Sequence, residues 1–290
     1  MKKLANHIIL SGVTVSMLFS PLMALPSGGK FTHGTSGTIT SGNGHMQING
    51  NGTNSVIQWG GGFSIGQGEK VEFGGNSKNY LNIAHGAGKS TIEGILNAGG
   101  NNVFLINPNG VIIEKSGSII NAKNFMASTA TLDEKDFNIF KTLSFENPQA
   151  FSPKIKPNSG NVVNLGKINA TNSITLQGNK IVLEAGFDKG KLNKIETNKL
   201  NLKGNEVYAD VGTTQVQNVN VEANKGTLYL SATGYYYNPT KKYDEFNNVN
   251  NNLKKTYNQY ISIGSAQDWW HFAKGWNEKA DFRNNVVGNT

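Results

Sequence analysis

A repeated pattern of strand, glycine-asparagine corner and second strand limits the folds open to this chain more than any other feature. Residues 199–212 echo residues 173–186, and a looser third copy runs over residues 219–234. The matched positions are Gly178 with Gly204, Asn179 with Asn205, and Gly186 with Gly212. One unit of this kind cannot bury a core alone, whereas stacked units share a continuous core. The repeat therefore predicts parallel coils stacked into a β-helix, which is a solenoid.

The first part of the chain consists of short β segments separated by glycine and asparagine. Segments that alternate, or nearly alternate, between apolar and polar residues are 38–40, 45–48, 55–59, 70–73 and 80–83. Alternation predicts strands with one packed face and one solvated face. The glycine runs at residues 60–62 and 74–75 indicate turns between them. No stretch before Asp133 has a sustained helical period, so we predict an all-β fold.

The first residues are typical of a secretory signal peptide. Lys2 and Lys3 precede an apolar stretch over residues 8–22, and a small-residue cleavage site follows Ala24. This pattern predicts a signal peptide over residues 1–24. No later stretch approaches the roughly 20 apolar residues that a membrane-spanning helix needs. We therefore predict an exported mature chain without a transmembrane helix.

Composition excludes several kinds of site. The chain has no cysteine, which rules out disulfides, thiolate catalysis and cysteine-ligated zinc. Removing Lys2 and Lys3 from the formal net charge of +8 leaves about +6. We interpret this charge as a mildly basic surface, with affinity for acidic glycans or membrane surfaces as the sharper alternative. No run of Lys or Arg exceeds two residues, so no nucleic-acid partner is predicted.

Two later regions depart from the strand pattern. Residues 133–157 are more charged and contain three prolines, and the Asp133-Glu134-Lys135-Asp136 stretch predicts a capped short helix. Beyond Gly234, a polar and aromatic loop is followed by a tryptophan-rich segment that predicts a small helix over the end of the solenoid. A candidate glycan or partner surface is the alternative interpretation of five aromatic residues in these two segments. These are Tyr235, Tyr236, Tyr237, Trp269 and Trp270.

The Asn107-Pro108-Asn109-Gly110 stretch lies between the apolar runs at residues 103–106 and 111–113. Pro108 has a fixed φ and Gly110 accepts a positive φ, while asparagine side chains bond to nearby backbone. These properties predict strand, tight turn and strand.

Several motifs together resemble one known family. They are the LPSGG start at residues 25–29, the W-x-x-F-x-I-G-x-x-E pattern read loosely from Trp59 to Glu69, the N-P-N-G-V turn, and the FMAST segment at residues 125–129. They occur in the order typical of filamentous haemagglutinin-type exoproteins, whose N-terminal domain serves two-partner secretion (TPS). The family's second motif, N-P-N-L, is not evident in this sequence, which leaves the subclass open.

The resemblance implies a fold and an export route for the chain. The fold would be a right-handed parallel β-helix with an N-terminal β cap and small extra-helical hairpins or loops. The POTRA repeats of a TpsB-type outer-membrane transporter would recognise the chain in the periplasm of a Gram-negative bacterium. The chain would cross unfolded, fold outside and remain secreted or at the cell surface. The N-P-N-G turn would then be a recognition feature for the transporter, a plain turn between coils, or both.

The resemblance also suggests an organisation for the chain. The TPS core would cover residues 25–136, and further coils would cover residues 137–234 with an excursion at about 137–157. Residues 235–290 would begin a further module of a longer exoprotein, most simply an adhesin or haemagglutinin with a host surface glycan or protein as receptor. The alternatives are the delivery stem of a contact-dependent toxin or haemolysin and a stand-alone carbohydrate-active β-helix enzyme.

We find no pattern for catalysis, a metal or a cofactor. The Gly86-Ala87-Gly88-Lys89-Ser90 stretch is similar to a phosphate loop, but the first glycine of that motif would fall at Ile83. The histidines are scattered, and Arg283 is the only arginine, whereas a lyase would need clustered acidic and basic residues. We therefore predict that the chain is no enzyme and needs no cofactor.

Overall fold

The structure is a computed structural model that describes residues 25–183, 195–210, 215–229, 254–257 and 261–264. The predicted signal peptide and the predicted C-terminal helix lie outside these residues. Within them, the strands form one mostly parallel sheet. The strands are β1 (Gly29–Thr32), β2 (Gly37–Gly42), β3 (His45–Gly50), β4 (Asn54–Trp59), β5 (Lys70–Phe73), β6 (Asn79–Ala84), β7 (Ser90–Ile92), β8 (Ile95–Asn97), β9 (Asn102–Ile106), β10 (Val111–Ile113), β11 (Ser118–Ser128), β12 (Val162–Asn164), β13 (Lys167–Leu183), β14 (Ile195–Asp210), β15 (Gln215–Tyr229), β16 (Lys254–Tyr257) and β17 (Ile261–Gly264).

Three parallel ladders of strands run along the stack. The first ladder contains β4, β6, β9, the second half of β11, and the middle parts of β13 to β15. The second contains β3, β5, β8 and the first parts of the longer strands. The third contains β7, β10, β12 and the last parts of β13 to β15. Because the coils supply strands to each of the three ladders, the chain winds as a parallel β-helix, as predicted. The structure adds that this β-helix has three sides.

The register of the later coils confirms the sequence repeat. Gly178 pairs with Gly204, and Leu200 pairs with both Ile174 and Val219. The positions that the repeat matched are therefore the positions that stack. The third matched pair, Gly186 and Gly212, lies outside the described residues.

The N-terminal end of the stack is closed by antiparallel strands. β1 runs antiparallel to β4 and β2 runs antiparallel to β3. A first coil without such neighbours would present a free strand edge, which invites pairing with other chains. These strands confirm the expected β cap.

The core is a continuous apolar column inside the coils. Trp59 meets Phe63 edge to face, with ring centroids 5.3 Å apart, and Phe73 meets Tyr80 at 4.9 Å. The column continues along the stack as far as Val221 and Ala223 in β15. Each coil therefore packs on its two neighbours, which is the arrangement that stabilises a solenoid.

A second apolar layer lies outside the first ladder. Residues 132–151, which we call the strap, leave the coils after β11 and cover this layer with the helix α1 (Glu134–Lys141) and a single 3₁₀ turn (Pro148–Ala150). α1 begins at the predicted place, where Asp133 and Asp136 form a reciprocal capping box. Under the strap lie Val56, Leu81, Ile83, Phe104, Ile106 and Met126. As a result, β6 and β9 are buried on both faces.

In the part of the chain that the structure describes, no helix could span a membrane. The one α-helix in that part of the chain, α1, has eight residues.

Candidate functional site

The N-P-N-G turn is a corner of the β-helix. It connects β9 in the first ladder to β10 in the third, so the two strands it joins belong to different faces and do not form a hairpin. The Gly110 amide donates to the Asn107 carbonyl oxygen at 3.0 Å and closes the turn. Gly110 has a φ of 132°, which glycine adopts without the strain that a side chain would add. The predicted strand, turn and strand are confirmed.

Asn107 holds this corner to the preceding coil. Its side chain is buried, and its amide nitrogen lies 3.1 Å from both the Gly88 carbonyl oxygen and the Ser90 hydroxyl. Its side-chain oxygen accepts a bond from the Asn109 backbone amide at 2.9 Å. Both polar atoms of the buried amide are therefore bonded, as buried polar groups generally are. The structural role of Asn107 is thereby explained.

Asn109 and Pro108 are more accessible to solvent than Asn107. Asn109 is exposed, and its amide nitrogen donates to the Gly86 carbonyl oxygen at 2.6 Å. Residues 86–90, which resemble a phosphate loop in sequence, thus supply carbonyl and hydroxyl groups that anchor the turn. Pro108 is half-buried, and its carbonyl oxygen accepts from the Gly160 amide at 2.7 Å. A partner of the folded domain could reach Asn109, whereas Asn107 is accessible only before folding.

Gly160 packs on the turn from the following coil. A Cβ atom at Gly160 would lie 2.3 Å from the carbonyl carbon and oxygen of Asn109. The Val111 amide also donates to the Asn161 carbonyl oxygen at 3.0 Å. The turn is therefore fixed on both sides, by residues 86–90 and by residues 160–161.

A ladder of asparagine side chains crosses the same coils. Three bonds of 2.7 Å each connect the amide of Asn79 to Asn54, of Asn102 to Asn79, and of Asn124 to Asn102. The Ser173 hydroxyl extends the ladder with a bond of 2.6 Å to Asn124. We did not predict this ladder. The signal was present in the sequence, because its asparagines follow one another at intervals of 25, 23 and 22 residues.

The asparagine ladder binds the strap. The amides of Asn54, Asn79 and Asn102 donate to the carbonyl oxygens of Lys141, Leu143 and Phe145 at 2.9, 3.1 and 2.9 Å. Alternate strap residues therefore meet successive coils.

The next coil contacts the strap through an ion pair. The Lys123 ammonium lies 2.7 Å from the Glu146 carboxylate and 4.4 Å from the centre of the Phe145 ring. A cation over an aromatic face adds to the attraction of the ion pair. The strap is thus fastened to four successive coils.

The pattern from Trp59 to Glu69 holds the first coils together. Phe63 and Ile65 are buried in the core, and the Trp59 indole nitrogen donates to Asn82 at 3.1 Å. The Glu69 carboxylate accepts from the Gly66 amide at 2.7 Å. Each of these residues therefore has a structural role in the first coils.

Three titratable groups among the described residues have altered pKa values. The hydrogen bond from the Asp136 backbone amide lowers the pKa of Asp133, the N-cap of α1. Burial raises the pKa of Tyr80, whose hydroxyl donates to the Gly74 carbonyl oxygen and accepts from the Gly50 amide. The hydrogen bond from Lys70 lowers the pKa of the partly exposed Glu72, and the charges of Lys70 and His45 act in the same direction. In the part of the chain that the structure describes, no three His, Cys, Asp or Glu side chains gather as a metal-binding group.

The predicted aromatic surface falls outside the described residues. Tyr235, Tyr236, Tyr237, Trp269 and Trp270 all lie there. Their role as a glycan or partner surface remains a prediction.

Comparison with known proteins gives matches of three kinds. Residues 23–267 match the family described as the TPS secretion domain. Over 178 residues the chain is 35% identical to the heme/hemopexin-binding protein of Haemophilus influenzae, an alignment that covers 59% of this chain and 19% of that protein. The solved HMW1 secretion domain from Haemophilus influenzae matches with a TM-score of 0.45 and 17% identity, over 83% of this chain and 84% of that one.

Proposed function

This chain belongs to the TPS secretion domain family, and on that premise we propose how the N-P-N-G turn and the strap serve secretion. A domain of this family directs the export of an exoprotein and implies a cognate outer-membrane transporter of the TpsB type. We propose that the POTRA repeats of that transporter bind the unfolded chain in the periplasm after the signal peptide has been removed. The chain then crosses in an extended form and nucleates its β-helix outside.

The timing of recognition follows from the burial of the turn. Asn107 is 1% exposed in the folded domain, so the transporter can use its side chain only while the chain is unfolded. An extended segment can join the edge of a transporter sheet through its backbone, with side chains such as Asn107 and Asn109 supplying specificity. Folding then buries Asn107 and releases the segment.

The strap makes folding outside directional. It follows in sequence the coils that it covers, so their apolar outer layer stays open until residues 132–151 arrive. Burying a large apolar side chain such as Phe140 stabilises a fold by about 1.5–3 kcal/mol. Docking of the strap therefore opposes return of the first coils into the transporter, and export needs no nucleotide hydrolysis at this step.

The experiment that tests this proposal separates recognition from folding. The chain is expressed with and without its transporter, and the medium is assayed for released protein. In parallel, binding of the urea-unfolded chain to the isolated POTRA repeats is measured for wild type, Asn109→Ala and Phe140→Ala.

Each variant has its own expected result. Asn109→Ala should weaken binding to the POTRA repeats and block release while the purified domain remains folded. Phe140→Ala should bind the repeats normally but be released more slowly. Release without the transporter, or unchanged binding and release of Asn109→Ala, would contradict the recognition role.

For the whole exoprotein we propose a non-enzymatic adhesin or haemagglutinin at the surface of a Gram-negative bacterium. The matched Haemophilus relative supports a longer protein, since this chain spans 19% of it. Binding of erythrocytes or host cells by the complete secreted protein, and its loss when the downstream part is deleted, tests this role.

A second candidate is suggested by the name of that relative, which is a heme/hemopexin-binding protein. The complete exoprotein would then capture heme or hemopexin at the cell surface. Retention on immobilised hemopexin, compared with immobilised albumin, distinguishes this candidate from an adhesin.

A further inference from the structure

An open polar cleft lies between residues 152–157, which follow the strap, and the corners of three successive coils. Its volume is about 640 Å³, within the range of sites that bind small molecules and short oligomers. The buried amide of Gln177 donates to the Pro153 carbonyl oxygen at 2.8 Å and fastens the outer wall to the coils. Pro153 and Pro157 restrict the backbone of that wall. The outer wall of the cleft is therefore held in place against the coils.

The floor of the cleft carries few side chains. Gly204 and Ala223 line it in consecutive coils, and Gly178 of the preceding coil pairs with Gly204. A Cβ atom at Gly204 would lie 2.6 Å from the Gly178 carbonyl oxygen, so the close approach of the coils requires a glycine. A ligand can thus lie against backbone.

A row of amides runs beside this floor. The amide of Asn205 donates to Asn179 at 2.7 Å, and that of Asn224 donates to Asn205 at 3.3 Å. The row repeats at the spacing of the coils, which is about 4.8 Å between neighbouring strands. Amides both donate and accept hydrogen bonds, so they suit hydroxyl-rich ligands.

The charged residues of the cleft favour anions. Lys154 and Lys156 lie on the outer wall and Lys203 on the coil side, with Glu222 as the only acidic lining residue. None of the lining residues is aromatic, so stacking of nucleic-acid bases is not supported. The net charge of the lining is therefore positive.

We propose that this cleft binds an acidic oligosaccharide. The three lysines pair with sulfate or carboxylate groups, and the asparagine amides bond with sugar hydroxyls. Charge-assisted hydrogen bonds of this kind are stronger than neutral ones. None of these residues belongs to the N-P-N-G turn or fastens the strap, so binding is a function separate from secretion.

The test uses the mature secreted chain and three hexasaccharides measured by calorimetry. One is sulfated, one is built of uronic acids and one is neutral. Either acidic compound should bind at least about tenfold more tightly than the neutral one, a difference that two or more exposed ion pairs can supply. The acid that binds better identifies the charged group that the cleft prefers.

Four single variants then test the cleft itself. Lys154→Gln and Lys203→Gln should each weaken binding about two- to fivefold, which is the effect of one exposed ion pair. Glu222→Gln should strengthen binding, because it removes the one repulsive charge. Lys115→Gln is the matched control, since Lys115 is exposed at the corner between β10 and β11 and its loss changes the net charge equally.

The proposal is overturned if the neutral compound binds as tightly as the acidic ones. It is also overturned if Lys115→Gln weakens binding as much as Lys203→Gln, which would indicate general attraction to a basic protein. All four variants should be released into the medium like wild type, so a failure of binding is distinguishable from a failure of secretion.

Discussion

The side-chain nitrogen of Asn107 lies 3.1 Å from the hydroxyl oxygen of Ser90, a residue of the preceding coil. This buried bond makes the N-P-N-G corner part of the packing between coils. Asn107 and Asn109 are two residues apart, yet one is enclosed and the other is exposed. Their substitution should therefore have different consequences.

Asn107→Ala should destabilise the folded domain by about 2–4 kcal/mol, because it leaves buried hydrogen-bonding partners without a bond. Urea unfolding of the purified domain measures this effect. Asn109→Ala is the control and should cost about 1 kcal/mol or less, since water can replace its single exposed bond. Equal losses for the two variants would show that the burial of Asn107 does not govern stability here.

Asn102→Leu should loosen the strap. The change leaves Asn79, Asn124 and the Phe145 carbonyl oxygen without their bonds to Asn102 in a buried setting, and we expect a loss of about 3 kcal/mol or more. Proteolysis within residues 132–151 should become faster. Asn169→Leu is the control, because it removes only a surface hydrogen bond of 2.7 Å to Glu196. It should change neither the stability nor the rate of proteolysis appreciably. Protection of the strap in Asn102→Leu would contradict the role of the asparagine ladder.

Gly160→Ala should prevent normal docking of the coil that follows the N-P-N-G turn. The added Cβ would meet the backbone of Asn109 at 2.3 Å, and backbone on both sides leaves no room for adjustment. We expect a lower midpoint of thermal unfolding and loss of release into the medium. Gly88→Ala is the matched control, because a Cβ at Gly88 would meet no atom within 4 Å. A stable Gly160→Ala domain would show that the two coils can separate.

Tyr80 should make stability decline at high pH. The pKa of Tyr80 is raised in the folded protein, so the unfolded chain loses this proton at a lower pH than the folded domain. The contribution of the group is fully present below pH ~10 and is lost as pH rises from there through the folded-state pKa.

Tyr80→Phe tests this pH dependence. At neutral pH the variant should be less stable than wild type by about 1–2 kcal/mol, through the loss of two hydrogen bonds. Urea unfolding at pH 7 and above pH 10 should show this difference shrinking with pH. A constant difference would contradict the proposed titration.

Local patterns predicted the coils well. The matched glycines at 178 and 204 stack as expected, because a glycine-asparagine corner and alternating strands are properties of neighbouring residues. The capped helix at Asp133 was predictable for the same reason.

The strap's position could not be predicted locally. β6 and β9 are buried on both faces, although their sequences include Asn79, Asn82 and Asn102. The covering residues, such as Phe140 and Phe151, come dozens of positions later. These asparagines can be buried because they hydrogen-bond to side chains of neighbouring coils. In the sequence, only the spacing between the asparagines, which is about the length of one coil, could have indicated their partners.

The hydrogen bonds of the strap also fix the number of coils beneath it. Lys141, Leu143 and Phe145 each meet one asparagine of one coil, in order. A coil inserted or deleted between Asn54 and Asn124 would shift every later asparagine away from its carbonyl partner. Among the described residues, the coils after β12 are not matched one by one to carbonyl groups of the strap. We therefore expect relatives of this chain to vary in length through added downstream coils, while the part under the strap keeps a constant size.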